Sequence, residues 1–168
     1  MARIGVRALL LIAVAATIGC DRVTKHVARA ALAGEPGRSY LADTIRLEYV
    51  ENSGGFLSLG AGLPSSARTA LFTLGTAVML LALAGAAVRF RWRGWLLIGT
   101  SLVVAGGASN WVDRLVRGSV VDFLNIGVGP LRTGIFNVAD MAIMLGVVLL
   151  LAQRRRSDDV RTTGDSSG

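Results

Sequence analysis

The sequence predicts an integral membrane protein that is mainly α-helical, with four transmembrane helices and a small extracytoplasmic β-sheet. Three observations support this fold class. The chain is 52% hydrophobic with a mean hydropathy of +0.56, which is too apolar for an ordinary soluble domain. Two long stretches, Thr69 to Val88 and Gly94 to Val112, carry no charge and are each long enough to cross the hydrocarbon core. A period-2 alternation from Thr44 to Val50 is typical of a strand with one buried face.

The first predicted helix covers about residues 7–30 and is the least apolar of the four. Its uncharged part, Ala8 to Cys20, is short, so a cleaved signal peptide is the alternative interpretation. Thr17-Ile18-Gly19-Cys20 even resembles a lipoprotein cleavage box, although the residues after it do not look like a tether. We expect a spanning helix in which Lys25 extends toward the membrane interface and Asp21 faces protein.

The outer β segment is expected at about residues 40–62. The sequence Gly34-Glu35-Pro36-Gly37 ends the first helix before it. The expected strand Thr44–Val50 is followed by a turn at Asn52–Gly55 and a return strand at Phe56–Leu59. A further short strand is expected at residues 119–124.

Lys and Arg residues predict the orientation of the helices. The remaining helices are expected at 67–88, 94–113 and 135–153, which completes one membrane-embedded domain, 1–153. Basic clusters precede the first helix, fill the link between the second and third, and follow the fourth (Arg3 and Arg7; Arg89, Arg91 and Arg93; Arg154, Arg155 and Arg156). All three clusters fall on one side, which the positive-inside rule assigns to the cytoplasm. Both termini are therefore expected in the cytoplasm, with residues 154–168 as a disordered tail.

Composition argues against several other classes of protein. The net charge of +7, from 18 basic and 11 acidic residues, is explained by the cytoplasmic clusters, so we expect no nucleic-acid partner. The single Cys allows no internal disulfide, and no His/Cys cluster has metal-ligand spacing. His26 is interpreted as an interfacial residue without chemistry. We expect no metal, no cofactor and a monomer in contact with membrane lipids.

Two aspartates lie where charge is costly, which makes them candidate functional residues. Asp122 lies in the apolar run Val120–Leu124, and Asp140 lies at the start of the last hydrophobic segment. The predicted topology places both at the outer membrane surface. Two carboxylates that share a site cannot both ionise easily, so one proton is shared and the pair can act as acid and base.

Further polar residues recur at helix-neighbour spacing on the same side of the membrane. They are Asp21, Thr24 and Lys25; Asn110 and Asp113; and Asn137 and Asp140. Each group also has a structural interpretation. Asp140 is favoured by the dipole at a helix N-terminus, Asp113 and Arg114 suit an interfacial ion pair, and the asparagines suit buried polar partners. Together they exceed what helix packing requires, because small residues such as Gly106 and Gly107 already serve that purpose.

These motifs resemble, in order, the sequence blocks of the lipoprotein signal peptidase (signal peptidase II) family. The matching blocks are Asp21-x-x-Thr24-Lys25, Asn52-x-Gly54, Gly106-Gly107-x-x-Asn110-x-x-Asp113-Arg114, Gly118-x-Val120-x-Asp122-Phe123 and Phe136-Asn137-x-Ala139-Asp140. The resemblance covers roughly residues 7–153. It departs from the family at Gly55-Phe56-Leu57, usually Ala-Ala-Phe, and at Ser109, commonly Gly, which bears on the shape of the substrate pocket.

The resemblance implies a bacterial inner-membrane aspartyl endopeptidase without a cofactor, with Asp122 and Asp140 as the catalytic pair. Its substrate would be a prolipoprotein whose lipobox Cys carries diacylglycerol, cut just before that Cys at the extracytoplasmic face. Substrate binding or orientation of the site would fall to Asn52, Gly54, Asn110, Asp113, Arg114, Asn137 and Ala139. Structural roles behind the site would fall to Asp21, Thr24 and Lys25. The hairpin at Gly54–Leu59 would close as a lid.

Two other functions fit part of the sequence. A small transporter or channel would use the aspartates as an ion path, but the inner half of the last helix, Leu145–Leu151, is wholly apolar. A non-catalytic adaptor would use the outer polar cluster to bind a partner, and it would not depend on both carboxylates. Neither alternative explains five ordered blocks.

Overall fold

The computed structural model describes residues 2–54 and 62–165, with side chains at 10–54 and 62–153. The helices are α1 (Ala2–Leu32), α2 (Ser65–Thr69), α3 (Thr76–Arg89), α4 (Gly94–Arg117) and α5 (Val138–Asp165). A π-helical turn, Ala70–Gly75, joins α2 to α3 without a break. The strands are β1 (Arg38–Tyr40), β2 (Ile45–Asn52), β3 (Val120–Val128) and β4 (Leu131–Arg132), which form one antiparallel sheet in that order.

The mainly helical architecture with a small sheet is confirmed. Within the described residues, the helices Ser65–Arg89 and Gly94–Arg117 are long and apolar enough to cross a membrane, and Val138–Gln153 is a shorter apolar helix. The two predicted strands that can be compared correspond to β2 and β3, whereas β1 and β4, of three and two residues, were not predicted. The expected return strand and lid at residues 55–59 lie outside the described part of the chain.

Both ends of α5 differ from the prediction. The helix begins at Val138 rather than at residue 135, because Phe136 is held in an extended bridge with Leu124 on β3. It continues to Asp165 rather than ending at 153, so residues 154–165, expected to form a disordered tail, are helical here. No Pro or Gly stands between Gln153 and Thr163 to end the helix.

The polar residues of α1 face the interior of the helix bundle. The helix runs without interruption through Cys20, so the sequence that resembles a cleavage box is helical. Asp21 is fully buried, as expected, but the expectation that Lys25 extends to the membrane interface is wrong. Lys25 is only 2% exposed, because its ammonium group is paired inside the bundle with Asp21 and Asp113.

Helices α4 and α5 form the tightest helix pair, and glycines permit their close approach. A Cβ atom at Gly146 would lie 2.5 Å from the Gly99 carbonyl oxygen and 2.8 Å from a Val103 methyl group. Nearer the site, a Cβ atom at Gly106 would collide with the carbonyl oxygen of Ala139. Small residues thus bring the two backbones together, as is usual where helices associate without a hydrophobic drive.

We predict that Gly146→Ala destabilises the protein, because the added methyl group must separate α4 from α5. The expected loss is on the order of 1–3 kcal/mol of unfolding free energy, typical of overpacking. Thermal unfolding of the purified protein in detergent measures it. Gly85→Ala is the matched control, since a Cβ atom at Gly85 meets nothing within 4 Å. Equal unfolding midpoints for the two variants would contradict the prediction.

Candidate active site

The sheet brings Asn52 and Asp122 together at the end nearest the helices. In the antiparallel register of β2 and β3, Asn52 lies opposite Val120, and Asp122 lies opposite Val50. Asn52 and Asp122 are therefore diagonal neighbours on one face of the sheet. The Asn52 Nδ2 group donates a 2.8 Å hydrogen bond to Asp122 Oδ2, and both side chains are buried.

The start of α5 is attached to the same strand. Phe136 and Leu124 exchange two backbone hydrogen bonds of 2.9 Å, which places the next residue, Asn137, beside Asp122. Asn137 is the N-cap of α5: its Oδ1 accepts the Asp140 N–H at 2.9 Å, and Asp140 Oδ2 accepts the Asn137 N–H at 3.1 Å. This reciprocal arrangement is a capping box in which the acid is an aspartate.

Asn137 also connects Asp122 with Asp140. Its Nδ2 group donates to Asp122 Oδ1 at 2.6 Å, while its backbone N–H donates to Asp140 Oδ2. Asp140 Oδ1 accepts a second hydrogen bond, from Asn110 Nδ2 at 2.9 Å. Each carboxylate therefore accepts hydrogen bonds on both of its oxygens, and the two lie around a single asparagine.

The three asparagines around the carboxylates share one arrangement. In each, a separate donor holds the amide oxygen, which leaves the NH₂ group directed at a carboxylate. The donor is Lys25 Nζ for Asn110, the Asp140 N–H for Asn137 and the Gly54 N–H for Asn52. Because an amide oxygen already bonded to a donor cannot exchange places with its nitrogen without losing that bond, the orientation of all three amides is fixed.

A buried charge cluster supports Asn110 from behind. The three ammonium protons of Lys25 have three acceptors: Asp21 Oδ2 at 2.7 Å, Asp113 Oδ2 at 2.8 Å and Asn110 Oδ1 at 2.6 Å. Arg22, which is partly exposed, donates to Asp113 Oδ1 at 2.6 Å. Two buried carboxylates are thus neutralised by two cations from α1, which satisfies the rule that buried charges are paired.

Asp21 links this cluster to the first turn of α5. Its Oδ1 atom accepts the Ala139 N–H at 2.8 Å, and its Oδ2 atom accepts the Ser109 hydroxyl at 2.6 Å. Ser109 is 1% exposed, and its hydroxyl group is directed at Asp21. Its side chain is therefore a buried partner of α1, and the effect of this departure on pocket shape stays a prediction.

Arg114 does not pair with its sequence neighbour Asp113. Asp113 forms its ion pairs with Arg22 and Lys25, so the interfacial Asp113–Arg114 pair considered above is not formed. Arg114 Nη2 instead donates to the Gly54 carbonyl at 2.6 Å, and its guanidinium carbon lies 5.9 Å from the centre of the Phe72 ring. Among the described residues its buried Nε atom has no hydrogen-bond partner.

An apolar cavity of about 500 Å³ ends at these polar groups. Arg114, Asn110 and Asp140 line its polar end. Its walls come from the π-helical turn and α3 on one side and from α5 on the other, with α4 between them (Phe72, Thr76 and Met79; Ile143, Met144, Val147 and Val148; Val103 and Gly107). Asp122 is not among its lining residues.

The structure brings together all but one of the predicted site residues. Thr24 is the exception, because its hydroxyl donates to carbonyl groups of its own helix, those of Cys20 and Asp21. Arg22 and Ser109 belong to the polar cluster but were not among the predicted site residues. The only sequence signal for them is that they lie next to the motif residues Asp21 and Asn110. Across the described part of the chain, no group of three or more His, Cys, Asp or Glu side chains is arranged to hold a metal ion.

Burial raises the pKa of Asp122 above its ordinary value of 3.8. The hydrogen bonds from Asn52 and Asn137, and the positive charges of Lys25 and Arg114, act in the opposite direction and offset part of this rise. Desolvation is the larger effect, so the environment favours a proton on the carboxyl group more than water does.

The sequence is similar to that of known membrane peptidases. The family model of signal peptidase (SPase) II matches residues 13–154. A lipoprotein signal peptidase of Mycobacterium leprae is 32% identical over 168 aligned residues, which cover 93% of this chain and 76% of that protein. One of Sphingopyxis alaskensis is 36% identical over 135 residues, which cover 79% of this chain and 77% of that protein.

The fold also has a solved counterpart. A bacterial membrane enzyme structure determined by the in meso method at 2.3 Å resolution superposes with a TM-score of 0.77 at 21% identity, covering 90% of both chains. A second such structure, at 1.9 Å, gives the same TM-score at 22% identity. Both matches concern the fold, whereas the family model extends over most of the sequence, and on that ground the chain belongs to the signal peptidase II family.

Proposed function

We propose that this protein removes the signal peptide from diacylglyceryl-modified prolipoproteins by cutting just before the lipidated Cys, with Asp122 and Asp140 as the catalytic pair. The observation that carries the proposal is the position of Asn137, which hydrogen-bonds both buried carboxylates beside an apolar cavity. Membership of a family of aspartyl membrane peptidases, and relatives named lipoprotein signal peptidase, support it.

The proposed topology has four membrane spans with the active site at the extracytoplasmic face of the bacterial inner membrane. Many large apolar side chains of the helices point outward, including Leu74, Leu81 and Val88 on the segment Ser65–Arg89 and Leu151 on α5. An exposed apolar surface of this kind suits lipid rather than water. Because Asp21 and Lys25 are buried and paired inside the bundle, their charges do not prevent α1 from crossing.

The chemistry is general acid–base hydrolysis. Two carboxylates around one asparagine share a proton, so one can take a proton from the attacking water while the other donates its proton to the carbonyl oxygen. The proton taken from water then passes to the leaving amine as the C–N bond breaks, and the hydroxyl formed from the carbonyl oxygen returns its proton to the pair. Asn52, Asn110 and Asn137 each donate to a carboxylate with a fixed amide orientation. They hold the pair in place before the substrate arrives, which lowers the reorganisation needed in the reaction.

The cavity suits the apolar part of the substrate. Its walls are apolar, so acyl chains or the signal helix fill it favourably, while the scissile bond lies at the polar end near Asp140. Among the residues that the structure describes, the buried Nε group of Arg114 has no hydrogen-bond partner, which leaves a donor available for a carbonyl oxygen of the substrate. Gly54, whose carbonyl accepts from Arg114 Nη2, lies at the same end.

We predict that Asp122→Asn and Asp140→Asn each reduce cleavage of a lipidated precursor by on the order of 10⁴-fold or more, the scale for removing one member of a catalytic unit. Purified protein in detergent and a lipidated precursor peptide provide the assay. In membranes, either variant should leave uncleaved lipidated precursor.

The control for these variants is Glu48→Gln, an equivalent change of carboxylate to amide on the exposed part of β2. It should cleave at the wild-type rate. Full processing by either aspartate variant would remove the proposed pair. A wild type that binds the precursor without cleaving it would instead favour an adaptor.

We predict that the stability of the wild type, relative to Asp122→Asn, falls as pH rises above about 4. The raised pKa of Asp122 means that the folded state binds its proton more tightly than the unfolded state does. Such a group favours folding below its folded pKa, and this advantage is lost as pH rises through the interval between the two pKa values. Thermal unfolding from pH 4 to pH 8 measures the difference. A difference that is constant with pH would contradict the raised pKa.

We predict that Lys25→Met destabilises the protein by about 3–5 kcal/mol, because it leaves Asp21 and Asp113 buried without their shared cation. Arg22→Met should cost much less, since the Arg22 side chain is 36% exposed and Lys25 still neutralises Asp113. Chemical unfolding in detergent compares the two. A larger loss for Arg22→Met would show that Lys25 is not the main support of the cluster.

A further inference from the structure

One wall of the cavity, formed by the π-helical turn and α3, is attached to the rest of the protein mainly through α4. Helix α5 packs closely on α4 through glycines. Helix α3 packs on α4 as well, where Leu80 occupies the space beside Gly107, but it makes no substantial contact with α5 among the described residues. The cavity fills the cleft between α3 and α5, so its width depends on how α3 is held against α4.

The outer end of this wall is a π-helical turn, Ala70–Gly75, which continues directly into α3. Turns of this kind are rare, are less favourable than α-helix and occur frequently at functional sites. Phe72 lies within the turn and lines the cavity at the end where Arg114 and Asp140 lie. The turn therefore shapes the part of the cavity that is closest to the proposed chemistry.

A single side chain of α4 hydrogen-bonds the backbone of the turn. Trp111 Nε1 donates to the Thr73 carbonyl oxygen at 2.8 Å, and Thr73 is buried. An indole N–H can only donate, so Trp111 is the donor in this bond and the Thr73 carbonyl is the acceptor. Trp111 also directly follows Asn110, whose amide contacts Asp140. The bond thus joins the cavity wall to the helix that orients the site.

We propose that Trp111 is a positioning residue that sets substrate specificity by holding the π-helical turn Ala70–Gly75 against α4. It thereby fixes the width of the cavity for the acyl chains of the substrate. The proposal rests on the proposed function, because the acyl chains are those of a lipidated precursor. Within the described residues, Trp111 forms its hydrogen bond with Thr73 and none with Asp122 or Asp140, so its effect is on binding in the cavity and not on proton transfer.

The test compares Trp111→Phe, which keeps an aromatic ring and removes the N–H, with Trp95→Phe. Trp95 lies at the opposite end of α4 and is 55% exposed, which makes it a matched control. Cleavage is measured with two precursor peptides that differ only in their acyl chains, one dipalmitoyl and one dioctanoyl. Trp111→Phe should raise KM for the dipalmitoyl peptide about fivefold, the change that corresponds to one hydrogen bond, and keep kcat within about twofold of the wild type.

KM for the dioctanoyl peptide should rise less, because shorter chains contact less of the wall. The ratio of the two KM values should therefore move closer to one. Trp95→Phe should change neither value. If Trp111→Phe lowers kcat equally for both peptides and leaves the KM ratio unchanged, or behaves like Trp95→Phe, the proposal is overturned. Met79→Ala widens the cavity at the same wall and leaves the Trp111 hydrogen bond in place, so it should also move the KM ratio closer to one. An unchanged KM ratio for Met79→Ala would overturn the proposal as well.

A measurement without substrate separates this proposal from the proposed function. Spin labels at Leu74→Cys on the turn and Leu145→Cys on α5, in a Cys20→Ser background, report the distance across the cleft; both positions are exposed. Trp111→Phe should broaden or lengthen the distance distribution, and Trp95→Phe should not. An unchanged distribution overturns the role of Trp111 even if the wild type cleaves precursor. If Trp111→Phe changes the distance distribution but the wild type cleaves no precursor, the proposed peptidase function is refuted and the role of Trp111 in holding the turn is not.

Discussion

The ammonium group of Lys25 is the interaction on which the polar interior depends. Its three protons are shared among Asp21, Asp113 and Asn110, which belong to α1 and α4. Two of these acceptors then reach α5, since Asp21 bonds the Ala139 N–H and Asn110 bonds Asp140. Three helices are therefore held in register by one cation. In an interior of low dielectric such a cluster is favourable only when every member is satisfied, which makes it sensitive to any single loss.

One carboxylate has two functions in this arrangement. Asp140 completes the N-terminal cap of α5, and it is also half of the proposed catalytic pair. Its position is consequently set by backbone geometry, because a cap residue has little freedom to choose another rotamer. Asp122 is fixed differently, by its strand and by two asparagine amides. The site joins a helix terminus to a strand, and Asn137 is the residue at which the two meet.

Much of this could be predicted from sequence, since uncharged apolar stretches identify the long helices, apolar–polar alternation identifies the main strand, and the motifs contain most side chains of the candidate site. What could not be predicted depends on contacts between distant segments. Lys25 looked like an interfacial residue because its partner Asp113 is remote in sequence, and Asp113 seemed to pair with its neighbour Arg114 for the same reason. The π-helical turn and the Trp111 hydrogen bond leave no local signal, because residues 70–75 read as ordinary apolar helix.

The cleft between α3 and α5 has a consequence for any compound that would block the protein. In the proposed topology this cleft faces the hydrocarbon of the bilayer, so a ligand arrives from the lipid and not directly from water. The relevant concentration is then the amount dissolved in the membrane, which rises with the partition coefficient of the compound. Two compounds that make identical contacts with the cavity would differ in apparent potency by the ratio of their partition coefficients.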